Sequence, residues 1–239
     1  MKTLTYQELY DAALDLGKGI LLKNYAFQES VHNYKFVGIY AKNRYEWLIT
    51  DWACILWGIC SVPLYDTLGV ENLTYCLKQT EMTTLFVSGE NVKTLLKLSD
   101  VGNLQHLVLL DDIDQETQLE LHNRNMTFIH FKDLIKEGSL RKDMNNSHVN
   151  TQPNDCLTFS YTSGTTGPPK GAMISHRNIL AFTRSLDQHS GIAFKPDDVY
   201  PSYLPLPHLM ERCIAISLFY FGAAIMYNFI YSDAQVETF

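Results

Sequence analysis

The chain has 239 residues, 46% hydrophobic and 19% charged, which supplies apolar material for one or two domains with a real core and excludes a disordered chain. A formal net charge of −7 and the lack of any basic run exclude non-specific nucleic-acid binding, but not nucleotide binding, which needs only local positive charge. Five cysteines, an odd count with no C-x-x-C pair, give neither a disulfide framework nor a zinc site and fit a reducing, intracellular setting.

Met1-Lys2-Thr3-Leu4-Thr5 lacks the apolar run of a secretory signal. Thr5-Tyr6-Gln7-Glu8 reads as a capping box, and Leu9, Ala12, Leu16 and Ile20 recur at helical spacing, so a surface helix is expected over 6–24. Phe36–Tyr40 predicts a buried strand. Asn43 is placed to cap a second helix reaching Gly58, with Glu46 closing the box. Apolar residues surround that helix, and Trp47, Trp52 and Trp57 are assigned to the core. A strand is expected over 61–65, where Pro63 points to a sheet edge or a strand start. Helices over 71–79 and 91–98 and strands over 84–88, 106–110 and 127–130 follow. This alternation predicts an α/β fold with a mostly parallel sheet flanked by helices. The polar run 143–155, with Asn145, Asn146, Ser147 and Pro153, reads as a surface linker. It divides the chain into a first α/β lobe over 1–145 and a second lobe over 146–239.

Cys156–Tyr161 alternates apolar and polar residues as a strand does, and residues 171–174 read as a second strand. Ser175 then caps a helix carrying Ile179, Leu180 and Leu186. Between the strands lies Tyr161-Thr162-Ser163-Gly164-Thr165-Thr166-Gly167-Pro168-Pro169-Lys170-Gly171. Its glycines allow successive amide N–H groups to converge on an anion, and its hydroxyls add donors at the same place. Lys170 adds a positive charge, on a segment stiffened by Pro168 and Pro169. Together these features suit a polyphosphate. The stretch is not a Walker loop, which needs glycine before the lysine and Ser or Thr after it; here Pro169 precedes and Gly171 follows. Further on, the apolar stretch 214–227 is interrupted by Ser217 and Gly222 and is too short for a membrane span, so it predicts a buried helix or strand pair. Residues 232–239 read as the beginning of a helix.

Tyr161–Gly171 resembles the phosphate-binding signature of the adenylate-forming superfamily, (Y/F)-T-(S/T)-G-(S/T)-T-G-x-P-K-G, at every pattern position. Asn43-Arg44-Tyr45-Glu46-Trp47 is similar to an N-R-P-E-W block, with Tyr45 in place of proline. Pro63-Leu64-Tyr65-Asp66-Thr67-Leu68-Gly69 matches P-L-Y-D-T-L-G. Leu204–Arg212 is similar to L-P-L-A-H-x-x-E-R, with Pro207 in place of alanine. In this order the blocks look like long-chain fatty acid–CoA ligases over nearly the whole chain.

The resemblance implies an incomplete N-terminal domain of the adenylate-forming fold and a two-step reaction. A fatty acid carboxylate attacks the α-phosphate of ATP, giving acyl-adenylate and pyrophosphate; coenzyme A then attacks the acyl carbon. It implies that Thr162, Ser163, Gly164, Thr165, Thr166, Gly167, Pro168, Pro169 and Lys170 bind the β- and γ-phosphates and that the Thr162 hydroxyl serves Mg²⁺. It implies that His208 sits where the acyl-adenylate meets the fatty acid tunnel, and it leads us to expect an ion pair between Glu211 and Arg212. The family's adenine-contacting block, its ribose-binding aspartate and its C-terminal lid domain with the catalytic lysine have no counterpart in these residues. Catalytic residues are therefore expected outside them, and this chain alone is expected to be inactive. Long-chain fatty acid, ATP and CoA are the implied partners, with no nucleic acid, and the parent is expected inside the cell at the endoplasmic reticulum or another organelle membrane. Two other readings remain open: a non-catalytic nucleotide- or acyl-binding remnant, and another acid–thiol ligase of the superfamily.

Overall fold

The computed structural model describes residues 3–26, 34–145, 149–162, 168–189 and 194–227. Strands and helices alternate as the apolar periodicity requires. In chain order they are α1 (Tyr6–Leu22), β1 (Phe36–Tyr40), α2 (Tyr45–Leu56), β2 (Cys60–Leu64), α3 (Val70–Thr80), β3 (Thr84–Val87), α4 (Gly89–Leu95), β4 (His106–Leu109), α5 (Gln115–Asn123) and β5 (Thr127–His130). They continue with α6 (Phe131–Ser139), β6 (Cys156–Thr162), β7 (Lys170–Ser175), α7 (His176–His189), β8 (Val199–Pro201), α8 (Leu209–Phe221) and β9 (Ala224–Met226). The main sheet has seven strands in the order β5-β4-β3-β1-β2-β6-β7. All its pairings are parallel except the antiparallel β6–β7 hairpin. β8 and β9 form a separate parallel pair.

Side-chain alternation along each strand feeds two cores, one on each face of the sheet. Val37 and Ile39 of β1 join Leu16 and Ile20 of α1, Trp47 of α2 and Leu134 of α6. Phe36 and Tyr40 of the same strand join Leu73 and Leu77 of α3, Val92 of α4 and Leu121 of α5. Full burial of a residue such as Leu16 or Ile39 stabilises by about 1.5–3 kcal/mol. On the first face α1 and α6 approach closely. A Cβ added at Gly138 would lie 1.8 Å from the Asp15 carbonyl oxygen, so glycine is required there.

The Thr5 capping box is present: the Thr5 N–H donates to Glu8 Oε2 at 2.7 Å, and the Glu8 N–H donates to Thr5 Oγ1 at 3.2 Å. The box expected at Asn43 is not. Arg44 is the N-cap residue of α2 and makes no side-chain cap bond. Its guanidinium holds Glu46 at 2.8 Å and Asp111 at 2.9 Å, which draws Glu46 away from a capping role. Pro63 lies in an interior strand, not at an edge. The Cys60 N–H donates towards β1, to Lys35 O, so alternation turns the Pro63 nitrogen towards β6. There the registered pair is Ser61↔Thr158, and no ladder donor is needed at Pro63. Two helices were not anticipated. In α5 the buried side chains are Thr117 and Leu121, too few to show a period; α6 starts directly after β5. Trp47 and Trp57 are buried, and Trp52 packs partly buried against the same core. The apolar run 214–227 holds the end of α8, a left-handed cap at Gly222 (φ 78°) and β9. The segment 232–239 lies outside the described residues. Among the described residues no helix is long and apolar enough to cross a membrane. The main sheet continues on both sides of residue 146, because β6 pairs with β2.

Beneath the carboxyl half of the chain sits a buried ion pair. Arg212 of α8 is 1% exposed, and Asp51 of α2 is fully buried. Arg212 Nε donates to Asp51 Oδ2 at 2.8 Å, and Nη2 donates to Asp51 Oδ1 and to Ser61 Oγ of β2. Ser61 Oγ in turn donates to Asp51 Oδ1 at 3.0 Å. The guanidinium also lies 5.7 Å from the Trp47 ring centroid. The expected Glu211–Arg212 pair therefore does not form. Neighbours on a helix point in different directions, and Glu211 instead accepts from the Tyr200 hydroxyl at 2.8 Å. Burial, and then this bond to Glu211, pushes the Tyr200 hydroxyl above the ordinary tyrosine range.

Removing Asp51 strands the Arg212 charge, so Asp51→Ala is expected to cost about 3–5 kcal/mol. The double change Asp51→Leu with Arg212→Met strands neither charge and should cost clearly less. Urea denaturation followed by tryptophan fluorescence, with Trp47 as a local reporter, compares the two. Equal losses would refute the stranded-charge account. Gly138→Ala drives a methyl into the α1 backbone and should lower stability by about 1–3 kcal/mol on the same assay.

Candidate active site

β6 delivers the glycine-rich segment and β7 carries it away, so both ends of the segment are fixed in one hairpin. Tyr161 faces Gly171 and Thr162 faces Lys170 across the antiparallel ladder. The Thr162 hydroxyl donates to the Lys170 carbonyl at 3.3 Å. Both side chains are exposed, as is Pro168, while Pro169 is buried and anchors the returning strand. Ser163, Gly164, Thr165, Thr166 and Gly167 lie outside the described residues. A Cβ at Gly171 would lie 1.8 Å from the Phe159 ring, so β7 can lie over that ring only with glycine there. Tyr161, first residue of the motif, points away from the site into the second core. Its hydroxyl donates to Gln79 Oε1 of α3 at 2.7 Å, and burial holds it well above the usual tyrosine range. It is an anchor.

The parallel register Ser61↔Thr158 places Thr162 level with Tyr65, at the carboxyl edge of the sheet. In open α/β sheets that edge is where ligands bind. The lysine ion pairs among the described residues involve Lys18, Lys23, Lys42, Lys78 and Lys93, which leaves Lys170 outside them. An exposed hydroxyl and an exposed ammonium, side by side on adjacent strands, make a donor set that fits phosphate oxygens. For Mg²⁺, no group of three or more His, Cys, Asp or Glu side chains among the described residues would hold the ion. Thr162 would offer one hydroxyl oxygen to such an ion, the rest of its oxygens coming from phosphate and water. A cleft of ≈ 430 Å³ opens elsewhere on this edge, lined by Glu90, Asp111, Asp112 and Asp114 among others. Its lining carries four carboxylates against one lysine, Lys93, and Lys93 is paired with Asp114, a weaker donor set for a polyphosphate.

His208 arrives on a separate segment. It is the N-cap of α8, and its Nδ1 accepts from the Met210 N–H at 3.2 Å, which leaves the neutral ring's proton on Nε2. The side chain is exposed. One residue ties this segment to the sheet. Asn43, just beyond β1, donates from Nδ2 to Ser202 Oγ at 2.9 Å and to Leu204 O at 2.6 Å, and its Oδ1 accepts the Leu206 N–H at 2.7 Å. Arg212, one turn after His208, then locks α8 to Asp51 and Ser61. Thr158 Oγ1 of β6 donates to Ser61 O at 2.9 Å, which connects the same node to the strand under the hairpin. Thus Thr162 and Lys170 are brought together directly, whereas His208 relates to them through Asn43, Arg212 and Ser61.

Asn43, Asp51 and Ser61 were missed as positioning residues. The signals were there: Asn43 stands in the N-R-x-E-W block, and Asp51, beside Trp52, is the one charged residue of its helix after Glu46.

Residues 1–236 match the AMP-binding enzyme family. The chain is 40% identical over 192 residues to fatty acyl-CoA synthetase B of Dictyostelium discoideum, covering 79% of this chain and 28% of that protein. It is 32% identical over 232 residues to long-chain-fatty-acid–CoA ligase 5 of Mus musculus, covering 94% of this chain and 33% of that protein. The chain thus spans about a third of the length of these relatives. In fold it is similar to the A-PCP didomain of a carboxylic acid reductase from Segniliparus rugosus, solved in complex with AMP. That match has a TM-score of 0.78 and 20% identity, and covers 95% of this chain and 33% of the other. The chain belongs to the AMP-binding enzyme family, and its mostly parallel, helix-flanked sheet is that of the N-terminal domain of adenylate-forming enzymes.

Proposed function

We propose that this chain is the phosphate-gripping part of a long-chain fatty acid–CoA ligase. The observation that carries the proposal is the facing pair Thr162↔Lys170 at the carboxyl edge of the sheet, at the two ends of the glycine-rich segment. Step one brings a carboxylate oxygen to the α-phosphorus and displaces pyrophosphate. Its difficulty is the crowding of negative charge, which oriented donors relieve. Thr162 to Lys170 would hold the β- and γ-phosphates, with the segment amides and hydroxyls as donors and the Lys170 ammonium as countercharge. Holding both ends of the segment in a ladder reduces the entropy lost when the amides converge. A bound Mg²⁺, held in part by the Thr162 hydroxyl, would supply further neutralisation of the phosphates. In step two the CoA thiol attacks the acyl carbon, and AMP leaves.

His208 would face the acyl-adenylate at the mouth of the fatty acid tunnel, offering Nε2–H as a donor while Met210 fixes the ring. Asn43 and Arg212 set where that ring stands. The chain would divide into a first lobe over 1–145 and a second over 146–239 that carries the hairpin, the two sharing one sheet through β2 and β6. CoA as thiol, Mg²⁺ as metal and an organelle membrane such as the endoplasmic reticulum as the parent's location rest on the family relationship.

The test uses the full-length protein with palmitate, ATP and CoA. Losing a charged hydrogen-bond donor costs about 1.5–3 kcal/mol, on the order of 10- to 100-fold. Lys170→Ala should therefore raise the KM for ATP by about that factor and leave the KM for palmitate nearly unchanged; unaltered ATP kinetics would remove the lysine from the phosphate site. His208→Ala should show the converse, with acyl-CoA formation reduced and equilibrium binding of ATP retained. Loss of ATP binding in that variant would place His208 elsewhere in the reaction.

A further inference from the structure

Cys60 and Cys156 are the first residues of the adjacent parallel strands β2 and β6. They are 96 positions apart in sequence, yet their sulfurs are 3.4 Å apart, with the Cys60 thiol donating to Cys156. A disulfide needs about 2.05 Å between sulfurs, so bonding asks for roughly 1.4 Å of approach. The β6–β7 ladder is irregular beside the pair, with a register shift between Cys156 and Thr158. The other three cysteines are isolated by burial: Cys54 and Cys76 are 0% exposed and Cys213 is 6% exposed. Burial pushes all three of those thiols up, Cys76 to about 12. Cys156 differs. It is partly exposed, and the hydrogen bond from Cys60 holds it below the usual cysteine range. Cys60, 2% exposed, lies behind it.

We propose that Cys156 and Cys60 form a hydroperoxide-sensitive dithiol, Cys156 attacking the oxidant and Cys60 resolving the product to an intramolecular disulfide. In the first step the Cys156 sulfur attacks one peroxide oxygen and the O–O bond breaks. The thiol proton goes to the departing oxygen, which leaves as water or an alcohol, and Cys156 becomes a sulfenic acid. In the second step the Cys60 sulfur attacks that sulfur. The S–S bond forms, the S–O bond breaks, and the hydroxyl leaves with the Cys60 proton as water. Two thiols lose two electrons, and one hydroperoxide gains them. The order follows from access, because the partly exposed sulfur meets the oxidant and the buried one is already in place behind it. The bond would staple β2 to β6 at the amino ends of the strands, away from Thr162, so it does not depend on the site's function.

The experiment treats the reduced full-length protein with equimolar hydrogen peroxide, followed by non-reducing tryptic mapping. Cys60 shares the tryptic peptide 45–78 with Cys54 and Cys76, and Cys156 lies on 143–170, so fragment spectra assign the linkage. The expected product is a 60–156 cross-linked pair, two hydrogens lighter than the free peptides and reversed by dithiothreitol. In Cys60→Ser, a sulfenic acid at Cys156 should be trapped by dimedone at least fivefold more than in the wild type. If that variant does not fold, the wild-type map decides alone. No cross-link, a link through Cys54 or Cys76, or equal dimedone labelling of wild type and Cys60→Ser would overturn the proposal.

Discussion

The arrangement depends on one buried ion pair. Asp51, Arg212 and Ser61 come from α2, α8 and β2, and no other described contact joins those three elements through charge. Taking a guanidinium and a carboxylate out of water costs several kcal/mol each, so the pair is tolerated only because its geometry is tight and Ser61 adds bonds to both ions. Satisfaction is incomplete: Arg212 Nη1 and Glu211 Oε1 have no partner among the described residues. An apolar replacement of both ions would fill the space at lower cost. What the ion pair contributes is direction, because a bidentate fork fixes the rotation of α8 as well as its position.

That direction matters because the site is assembled from distant segments. The hairpin carrying Thr162 and Lys170 is local, closed by ladder bonds a few residues away. The segment carrying His208 begins some forty positions later. It is aligned by Asn43 at its start and by Arg212 one helical turn beyond the histidine. Ser61 belongs to both systems, receiving Arg212 on its hydroxyl and Thr158 of β6 on its carbonyl. The hairpin and the segment carrying His208 are thereby referenced to one central strand, β2. Along the carboxyl edge, the carboxylates beyond β3 and β4 are matched by Arg44, Lys42 and Lys93, while Lys170 at the start of β7 lies outside those pairs.

Much of this was legible in the residues. Phe36–Tyr40 and Thr127–His130 are legible with their observed limits because each is a short run made mostly of β-branched and aromatic residues. The hairpin was legible because glycines and prolines separate two alternating strands. What escaped were residues whose roles are set by distant partners. Asn43 has the side chain of a helix cap, and nothing local reveals that residues 202–206 arrive to take its hydrogen bonds. Glu211 and Arg212 invite pairing as sequence neighbours, but a helix turns them apart, and each finds a partner from another element. Pro63 reads as an edge residue until β6 is seen to pair at Ser61 and not beside the proline. The proposed phosphate site rests on an eleven-residue pattern. The structure adds the two ladder ends that hold it.

The central claim is that the hairpin ends hold the triphosphate tail of ATP. A crystal structure of the full-length protein with a non-hydrolysable ATP analogue tests it most directly. The account predicts Lys170 Nζ and Thr162 Oγ1 within hydrogen-bonding distance of the β/γ-phosphate oxygens or their metal. A triphosphate bound away from residues 162–170 would contradict it.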